Sequence, residues 1–192
     1  MSDQSDASLV ARVLADDDRG AFAALVNRHQ PAVRGLLRRL AGGDAALADD
    51  LAQETFVRVY RGLRGFRGGA RLGTWLHRVA YNVFLSHLGR RADLRSAADG
   101  ADRAGEPGPA DGGPGAVAEA AVLRTDLERA MTCLRPPEAA ALTLSYVQNF
   151  SHEEIGLVLN CPAGTVKTHI ARGKERLRAL LGDWGAQRGA AS

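Results

Sequence analysis

A long stretch that is poor in large side chains divides the chain, and it limits the fold more than any other feature. Residues 92–118 read ADLRSAADGADRAGEPGPADGGPGAVA, rich in Gly, Pro, Ala and Asp and without an aromatic residue. Such a composition buries too little surface to offset the entropy lost on ordering. We therefore predict a flexible linker here, which as about 27 residues of coil spans roughly 30 Å and extends to about 90 Å.

The linker separates two units that both carry helical patterns. An N-terminal unit over 1–91 and a C-terminal unit over 119–184 have apolar residues at three- and four-residue steps, followed by a predicted disordered tail over 185–192. Pro31 is expected to bend or break a helix of the first unit. Ser151 and Glu154 form a capping-box pattern in the second. We predict an all-α protein of two small helical domains.

The charges are distributed unevenly, although the formal net charge is only +3 and the sequence pI is near 9.2. No acidic residue lies between Glu54 and Asp93. The same interval contains Arg58, Arg61, Arg64, Arg67, Arg71, Arg78, Arg90 and Arg91. A segment of this kind favours a polyanionic partner such as a nucleic acid.

The stretch NCPAGTVKTHIARGKERL, residues 160–177, predicts a cationic helix with one buried side. Val166, Ile170, Gly173 and Leu177 fall on one stripe of a helical wheel. The candidate DNA contacts lie on its flanks: Thr165, Lys167, Thr168, His169, Arg172, Lys174 and Arg178. A short helix, a tight turn and then this longer helix are typical of a helix-turn-helix.

Three stretches resemble a known family. LRPPEAAALTLSYVQNFSHEEIGLVLNCPAGTVKTHIARGKERLRALL resembles the domain of extracytoplasmic-function sigma factors of bacterial RNA polymerase that reads the -35 promoter element. ADDLAQETFVRVYRGL resembles the helix of that family that binds the polymerase clamp. FRGGARLGTWLHRVAYNVFLSHLGRR resembles its loop and helix for melting the -10 element.

The resemblance implies roles for named residues in the N-terminal unit. It implies that the residues that bind the polymerase are Asp49, Asp50, Leu51, Gln53, Glu54 and Phe56. It also implies that the residues that capture the -10 strand are Phe66, Arg67, Arg71, Trp75, Arg78, Asn82, Arg90 and Arg91. Trp75 also fits a core position, because it recurs with Tyr81 and Phe84 at helical spacing.

The partners that the resemblance implies are core RNA polymerase, promoter DNA and an anti-sigma factor. On the polymerase, the contacts are the clamp helices of the largest subunit and the flap of the second largest. The chain has no apolar run of the roughly 20 residues that a membrane span needs, and we expect a cytoplasmic protein without membrane insertion.

Neither catalysis nor a cofactor is indicated. The acid-free segment offers no carboxylate pair for a metal, and Cys133, Cys161, His152 and His169 lack the spacing of a zinc site. A stand-alone helix-turn-helix regulator with an effector-sensing N-terminal domain is the alternative, and it predicts a ligand pocket and palindromic half-sites. A nuclease or recombinase would need a nucleophile and metal carboxylates that the sequence does not supply.

Overall fold

Helices make up all the regular structure over the residues that the computed structural model describes, 5–98 and 126–190. Side chains are described over 5–94 and 126–182. The elements are α1 (Asp6–Asp16), α2 (Arg19–Leu40), α3 (Ala45–Gly62), a 3-10 turn (Leu63–Gly65), α4 (Leu72–Ala98), α5 (126–132), α6 (Pro136–Tyr146), α7 (His152–Leu159) and α8 (Ala163–Ala190). The predicted all-α fold class is confirmed.

The N-terminal unit consists of α1 to α4, and short polar residues start its first three helices. The side chains of Ser5, Asp18 and Asp44 each accept a hydrogen bond from the backbone N–H three residues further on, at 3.3, 2.9 and 3.0 Å. These N-caps satisfy donors that have no partner inside the helix. The apolar stripes that follow the caps meet in one core, which includes Leu9, Leu25, Val33, Leu37, Leu51, Phe56, Leu76, Val83 and Phe84.

Helix α2 continues through Pro31 instead of breaking there. A proline in a helix removes one N–H donor and clashes with the preceding turn. Leu25 before the proline and Val33 after it are both buried in the core. Packing on both sides of Pro31 therefore keeps the helix in one piece.

The C-terminal unit contains the predicted helix-turn-helix. Ser151 starts α7 with a capping box, because its Oγ accepts the N–H of Glu154 at 3.2 Å while the Glu154 carboxylate accepts the N–H of Ser151 at 3.0 Å. Asn160 ends α7 in the left-handed conformation with φ of 54°. A Cβ atom at Gly156 would lie 2.7 Å from the carbonyl oxygen of Cys161, so only glycine fits the tight turn before α8.

The two units pack against each other. Helix α4 lies against α7, and α2 lies against α6. Leu36 of α2 and Tyr81 of α4 are buried in the core of the C-terminal unit, together with Leu144 and Ile155. The described units therefore form a closed arrangement.

Two predicted boundaries differ from the observed helix ends. Helix α4 continues to Ala98, past the predicted end of the N-terminal unit at 91, and α8 continues to Ala190 through the expected tail. Good helix formers such as Ala, Leu and Arg occupy 92–98, so the helix has no local signal to stop. The rest of the predicted linker up to residue 118 lies outside the described residues, as do residues 119–125.

Candidate nucleic-acid interface

Helix α8 presents polar and cationic side chains opposite its buried side. Val166 and Ile170 are buried, whereas Lys167, Thr168 and Arg172 are exposed. The Thr168 hydroxyl donates to the carbonyl of Gly164 one turn earlier at 3.2 Å, so its lone pairs and methyl group remain for DNA. This side can face base edges in a major groove.

The other predicted DNA-contacting residues of α8 differ in how exposed they are and in whether a neighbouring side chain holds them. Thr165 and His169 are half-buried, and Arg178 is exposed. The Lys174 ammonium lies 4.7 Å from the centre of the Tyr146 ring, a cation-π contact that holds it against α6. Lys174 is therefore a fixed positive charge at the rim of the reading surface, suited to a phosphate and not to a base.

The glycine-rich loop before α4 is supported by an aromatic pair. The rings of Phe66 and Trp75 have centroids 5.3 Å apart and are tilted by 44°. Trp75 also lies beside Gly62, where a Cβ atom would approach the indole to 3.6 Å. Both rings are half-buried, so they support the loop and still leave ring surface on which a base can stack. Gly68 has φ of +70°, which favours glycine at this bend.

One side of α4 carries a row of polar residues next to this loop. Arg71 immediately before α4, and Arg78 and Asn82 within it, fall at helical steps on one side and are all exposed. Arg67 on the loop is exposed as well. This row and the loop form a cationic surface, called here the strand-capture face.

The two last predicted arginines lie elsewhere. Arg90 approaches the carboxylate of Glu54 on α3, with Nη2 and Oε2 3.4 Å apart. Arg91 comes nine residues after Asn82, which places it on the opposite side of a straight helix. The structure therefore does not bring Arg90 and Arg91 together with the strand-capture face.

The predicted polymerase-binding residues divide into buried and exposed groups. Leu51 and Phe56 are core residues of the N-terminal unit. Asp49 accepts a hydrogen bond from Arg34 at 2.7 Å, and Glu54 from Arg58 at 2.5 Å. Asp50 and Gln53 are exposed and fall on one side of α3.

Val57 is a residue of this surface that the sequence analysis missed. It follows Asp50 and Gln53 on the same side of α3 and is 48% exposed. The sequence could have indicated this residue, because Val57 is apolar but lies next to, and not within, the apolar stripe of α3 that packs in the core. An exposed apolar centre flanked by polar groups is typical of a protein interface.

A second stripe of α4, which sequence reasoning also missed, faces the C-terminal unit. His77 and Tyr81 are buried, and the His77 ring meets the ring of Phe150 edge to face with centroids 5.0 Å apart. Burial lowers the pKa of His77. Burial, with a smaller contribution from nearby Cys161, raises the pKa of Tyr81 to about 12.

Family models match both units. Sigma-70 region 2 matches residues 25–93, and Sigma-70 region 4 matches residues 124–177. A helical region 2 followed by a helix-turn-helix region 4 defines a sigma factor, the class of protein that directs RNA polymerase to promoters.

Relatives with known names agree with this class. The chain is 36% identical over 187 residues to the RNA polymerase sigma-H factor of Pseudomonas aeruginosa. The aligned region covers 94% of this chain and 96% of that protein. It is 38% identical over 157 residues to the ECF RNA polymerase sigma factor SigE of Mycolicibacterium smegmatis, covering 82% of this chain and 60% of SigE. The chain belongs to the extracytoplasmic-function family of RNA polymerase sigma factors.

Solved structures share the fold. The sigma factor RpoE of Bartonella quintana, solved in complex with the anti-sigma factor NepR, matches with a TM-score of 0.67 and 25% identity over 83% of this chain and 96% of its own. CnrH, solved with the cytosolic domain of CnrY, has a TM-score of 0.66 at 22% identity over 94% of this chain and 99% of its own. The comparisons support the sigma factor interpretation and not the stand-alone regulator.

The described residues contain neither a membrane-spanning helix nor a cluster of metal-binding side chains. None of the helices described is long and apolar enough to cross a bilayer. No group of three or more His, Cys, Asp or Glu side chains in 5–94 and 126–182 is placed to hold a metal ion.

Proposed function

We propose that the chain selects promoters through two separate surfaces: α8 reads the -35 element as duplex, and the strand-capture face holds the unpaired -10 strand. The observation that carries this proposal is the exposed row of Arg71, Arg78 and Asn82 beside a glycine-rich loop, in a segment without acidic residues. Arginines neutralise phosphates along a single strand, while glycine backbone and aromatic rings accept bases.

The exposed side of α8 is proposed to determine which bases the chain prefers at the -35 element. Arg172 has the bidentate donor geometry that suits a guanine edge, and Thr168 can contact a base with its methyl group or lone pairs. Thr165 and His169 flank them. Lys174 and Arg178 are proposed to bind phosphates, which position the helix without reading sequence.

The polymerase contact is proposed to centre on Asp50, Gln53 and Val57. These three residues share one exposed side of α3, whereas Leu51 and Phe56 stabilise the unit from inside. Asp49 and Glu54, already paired with arginines of this chain, flank that contact. The partner surfaces are the clamp helices of the largest polymerase subunit and, for the C-terminal unit, the flap of the second largest.

An anti-sigma protein is proposed as the regulator, because RpoE of Bartonella quintana was solved with the anti-sigma factor NepR. The proposed location is the cytoplasm, where RNA polymerase and the chromosome are.

Run-off transcription tests the function. Purified chain is added to core polymerase on templates from the same genome, and we expect new transcripts from a defined set of promoters. A variant with Asp50→Arg and Gln53→Ala serves as the control, since it should keep its helical content and give no transcript. Failure of the unmodified chain to yield any promoter-specific transcript with its own core polymerase would refute the proposal.

A further inference from the structure

A cavity of about 600 Å³ is lined by helix α2 of the N-terminal unit and by helices α5, α6 and α8 of the C-terminal unit. This volume falls in the range of about 300 to 1,000 Å³ that is typical of small-molecule sites. The cavity shares no residue with the strand-capture face, and of the proposed -35 contacts only Lys174 lines it. It is therefore a separate feature of the molecule.

The walls of this cavity are mainly apolar, and much of that surface is open to solvent. Leu127, Tyr146 and Val147 line it and are 44%, 58% and 49% exposed. They are three of the eight large apolar side chains that the described residues expose, whereas the other five are spread over α1, α3, α4 and α7. Met131 and Leu142 of the core continue the same walls. Exposed apolar surface gathered in one concave place is typical of a binding site.

Positive charge exceeds negative charge in the lining. Arg38, Arg39 and Lys174 line the cavity, and Glu128 is the single carboxylate that the described residues place there. The Glu128 carboxylate lies 3.7 Å from the Arg38 guanidinium and so offsets one of the three cations. Arg39 donates from Nη1 to the carbonyl oxygen of Gly35 at 3.1 Å, which leaves it further N–H donors. The lining is therefore complementary to an anionic group.

A buried hydroxyl in the lining has no partner. Thr143 is 1% exposed, and its Oγ1 makes no hydrogen bond within the part of the chain that the structure describes. The hydroxyls of Thr55 and Thr168, also in helices, donate to the carbonyl one turn earlier, at 2.7 and 3.2 Å. An unpartnered buried hydroxyl costs free energy, which an acceptor atom of a ligand in the cavity would recover.

The cation-π contact of Lys174 narrows the class of ligand. Its ammonium lies 4.7 Å from the centre of the Tyr146 ring and retains donors for an anion. The ammonium covers one face of that ring, which leaves little aromatic surface on which a planar base could stack. Aliphatic walls around a fixed cation suit an alkyl chain that ends in a carboxylate.

We propose that this cavity binds an amphipathic carboxylate with an unbranched alkyl chain. The carboxylate accepts hydrogen bonds from Arg39, Lys174 and the Thr143 hydroxyl, and the chain lies along the walls formed by Leu127 and Met131. The apolar walls contribute affinity through burial of the chain, while the cations and the hydroxyl select the head group.

Decanoate is the probe that tests this site, used as a monomer with the full chain. Isothermal titration calorimetry should show saturable binding of one molecule per chain, and the unfolding temperature should rise with decanoate concentration. Decyltrimethylammonium has the same alkyl chain with a positive head group, and butyrate has the carboxylate with a short chain. Each should bind at least about tenfold more weakly than decanoate.

Two matched variants locate the site. Leu127→Glu places a carboxylate in the wall and should lower the affinity for decanoate at least about tenfold, because it repels the head group and replaces apolar surface. Leu157→Glu makes the same change on α7, at a side chain that is 49% exposed and lies outside the cavity. It should bind decanoate as the unmodified chain does.

Thr143→Val gives a readout that a purely structural role would not. Valine keeps the shape of the side chain and removes the unpartnered hydroxyl, so the free chain should unfold at the same or a higher temperature. Its affinity for decanoate should nevertheless fall about three- to tenfold, since the carboxylate loses one hydrogen bond.

Three results would overturn the proposal: no saturable decanoate binding, equal affinity for decanoate and decyltrimethylammonium, or equal losses in Leu127→Glu and Leu157→Glu. The first result would favour an apolar side chain of a partner protein as the occupant of the cavity. The binding assay uses neither polymerase nor promoter DNA, so failure of the proposed function would not alter its result.

Discussion

Arg176 of helix α8 donates from Nη1 to Oε2 of Glu138 at the start of α6, and the two atoms are 3.0 Å apart. The Glu138 side chain is 2% exposed, and the same oxygen accepts the N–H of Arg135 at 3.2 Å. One turn earlier, Gly173 lets α8 approach α6 closely, since a Cβ atom there would lie 2.7 Å from Cδ1 of Leu142. This buried carboxylate and this glycine fix the position of α8 against α6, and with it the direction in which the exposed side of α8 faces.

The first prediction concerns this ion pair. Glu138→Gln should lower the free energy of unfolding by about 1 to 2 kcal/mol, because the buried group loses its charge-assisted bond while the partly exposed Arg176 regains water. Urea denaturation measures the change. Glu175→Gln, an exposed carboxylate on α8, is the matched control and should stay within about 0.5 kcal/mol of the unmodified chain. Equal effects of the two substitutions would contradict the role of Glu138.

The second prediction concerns promoter reading. Arg172→Ala should weaken binding to the cognate -35 duplex by about 1 to 3 kcal/mol and relax the base preference at one position. Lys174→Ala should weaken binding to all sequences by a similar factor, since its ammonium is held by Tyr146 at the rim. Binding titrations on a set of single-base promoter variants distinguish the two. Unchanged base preference in Arg172→Ala would rule out this assignment.

The third prediction concerns polymerase binding. Asp50→Arg with Gln53→Ala should abolish co-elution with core polymerase, because a reversed charge is placed in the contact. Val57→Ala alone should weaken binding by about 1 kcal/mol through lost apolar contact. Asp16→Arg, an equal charge change at the exposed end of α1, is the control and should bind normally. Circular dichroism verifies that each variant is folded, and retained binding by a folded double variant would discard this surface.

The fourth prediction separates melting from reading. Arg67→Ala with Arg71→Ala should leave -35 binding intact and reduce run-off transcription, because the loop no longer neutralises the unpaired strand. A template already mismatched across the -10 element removes much of the unpairing cost, so transcription should recover.

Permanganate reactivity and run-off yield on duplex and mismatched templates measure the effect. Arg90→Ala with Arg91→Ala removes the same charge from other sides of α4 and should leave melting nearly unchanged. Equal defects of the arginine-loop variant on both templates would mean that Arg67 and Arg71 do not act in melting.

The fifth prediction concerns pH. Burial in the closed chain lowers the pKa of His77, so the closed state binds fewer protons than the open state, in which the ring is hydrated. The contribution of His77 to closure is complete above its ordinary pKa of about 6.5 and is lost as the pH falls through that value toward the lowered one.

Nearby His29 also lowers the pKa of His77, whereas hydrogen bonds with the backbone of Gly73 and Ala32 raise it, and burial outweighs them. His29 and Arg39 of α2 line a cavity with His77, His29 is paired with Asp6 at 2.9 Å, and α7, which packs on α4, carries His152, Glu153 and Glu154. The distance between spin labels on the two units should therefore lengthen between pH 7.5 and 5.5. His77→Gln should remove this dependence, and an unchanged response would exclude His77 as its source.

Several features of the fold and the site could be predicted from the sequence because their signals are local. The Ser151 capping box, the helix-turn-helix and the acid-free arginine segment depend on residue types at short spacing. The burial of Leu51 and Phe56 was harder to predict from the sequence, because apolar residues at these positions fit a helix that docks on a partner as well as a helix that packs inward. The continuation of α2 through Pro31 depends on packing from both sides, which no local pattern reports.

The closed arrangement had no signal in the sequence. His77 and Tyr81 fall at helical spacing like any core residues, and the unit that covers them is far along the chain. Their partner is decided by three-dimensional packing of two units, whereas composition predicted only that a linker separates them.

Since both sides of the interface belong to one polypeptide, closure is an intramolecular equilibrium. The tethered unit acts at an effective concentration of the order of millimolar, whatever the number of molecules in the cell. Dilution does not open the chain, and overproduction does not change the closed fraction. A partner that binds only the separated units meets the same opposing free energy on every molecule, so the free-energy cost of separating the units is set by the contacts around Tyr81 and Phe150 and is independent of expression level.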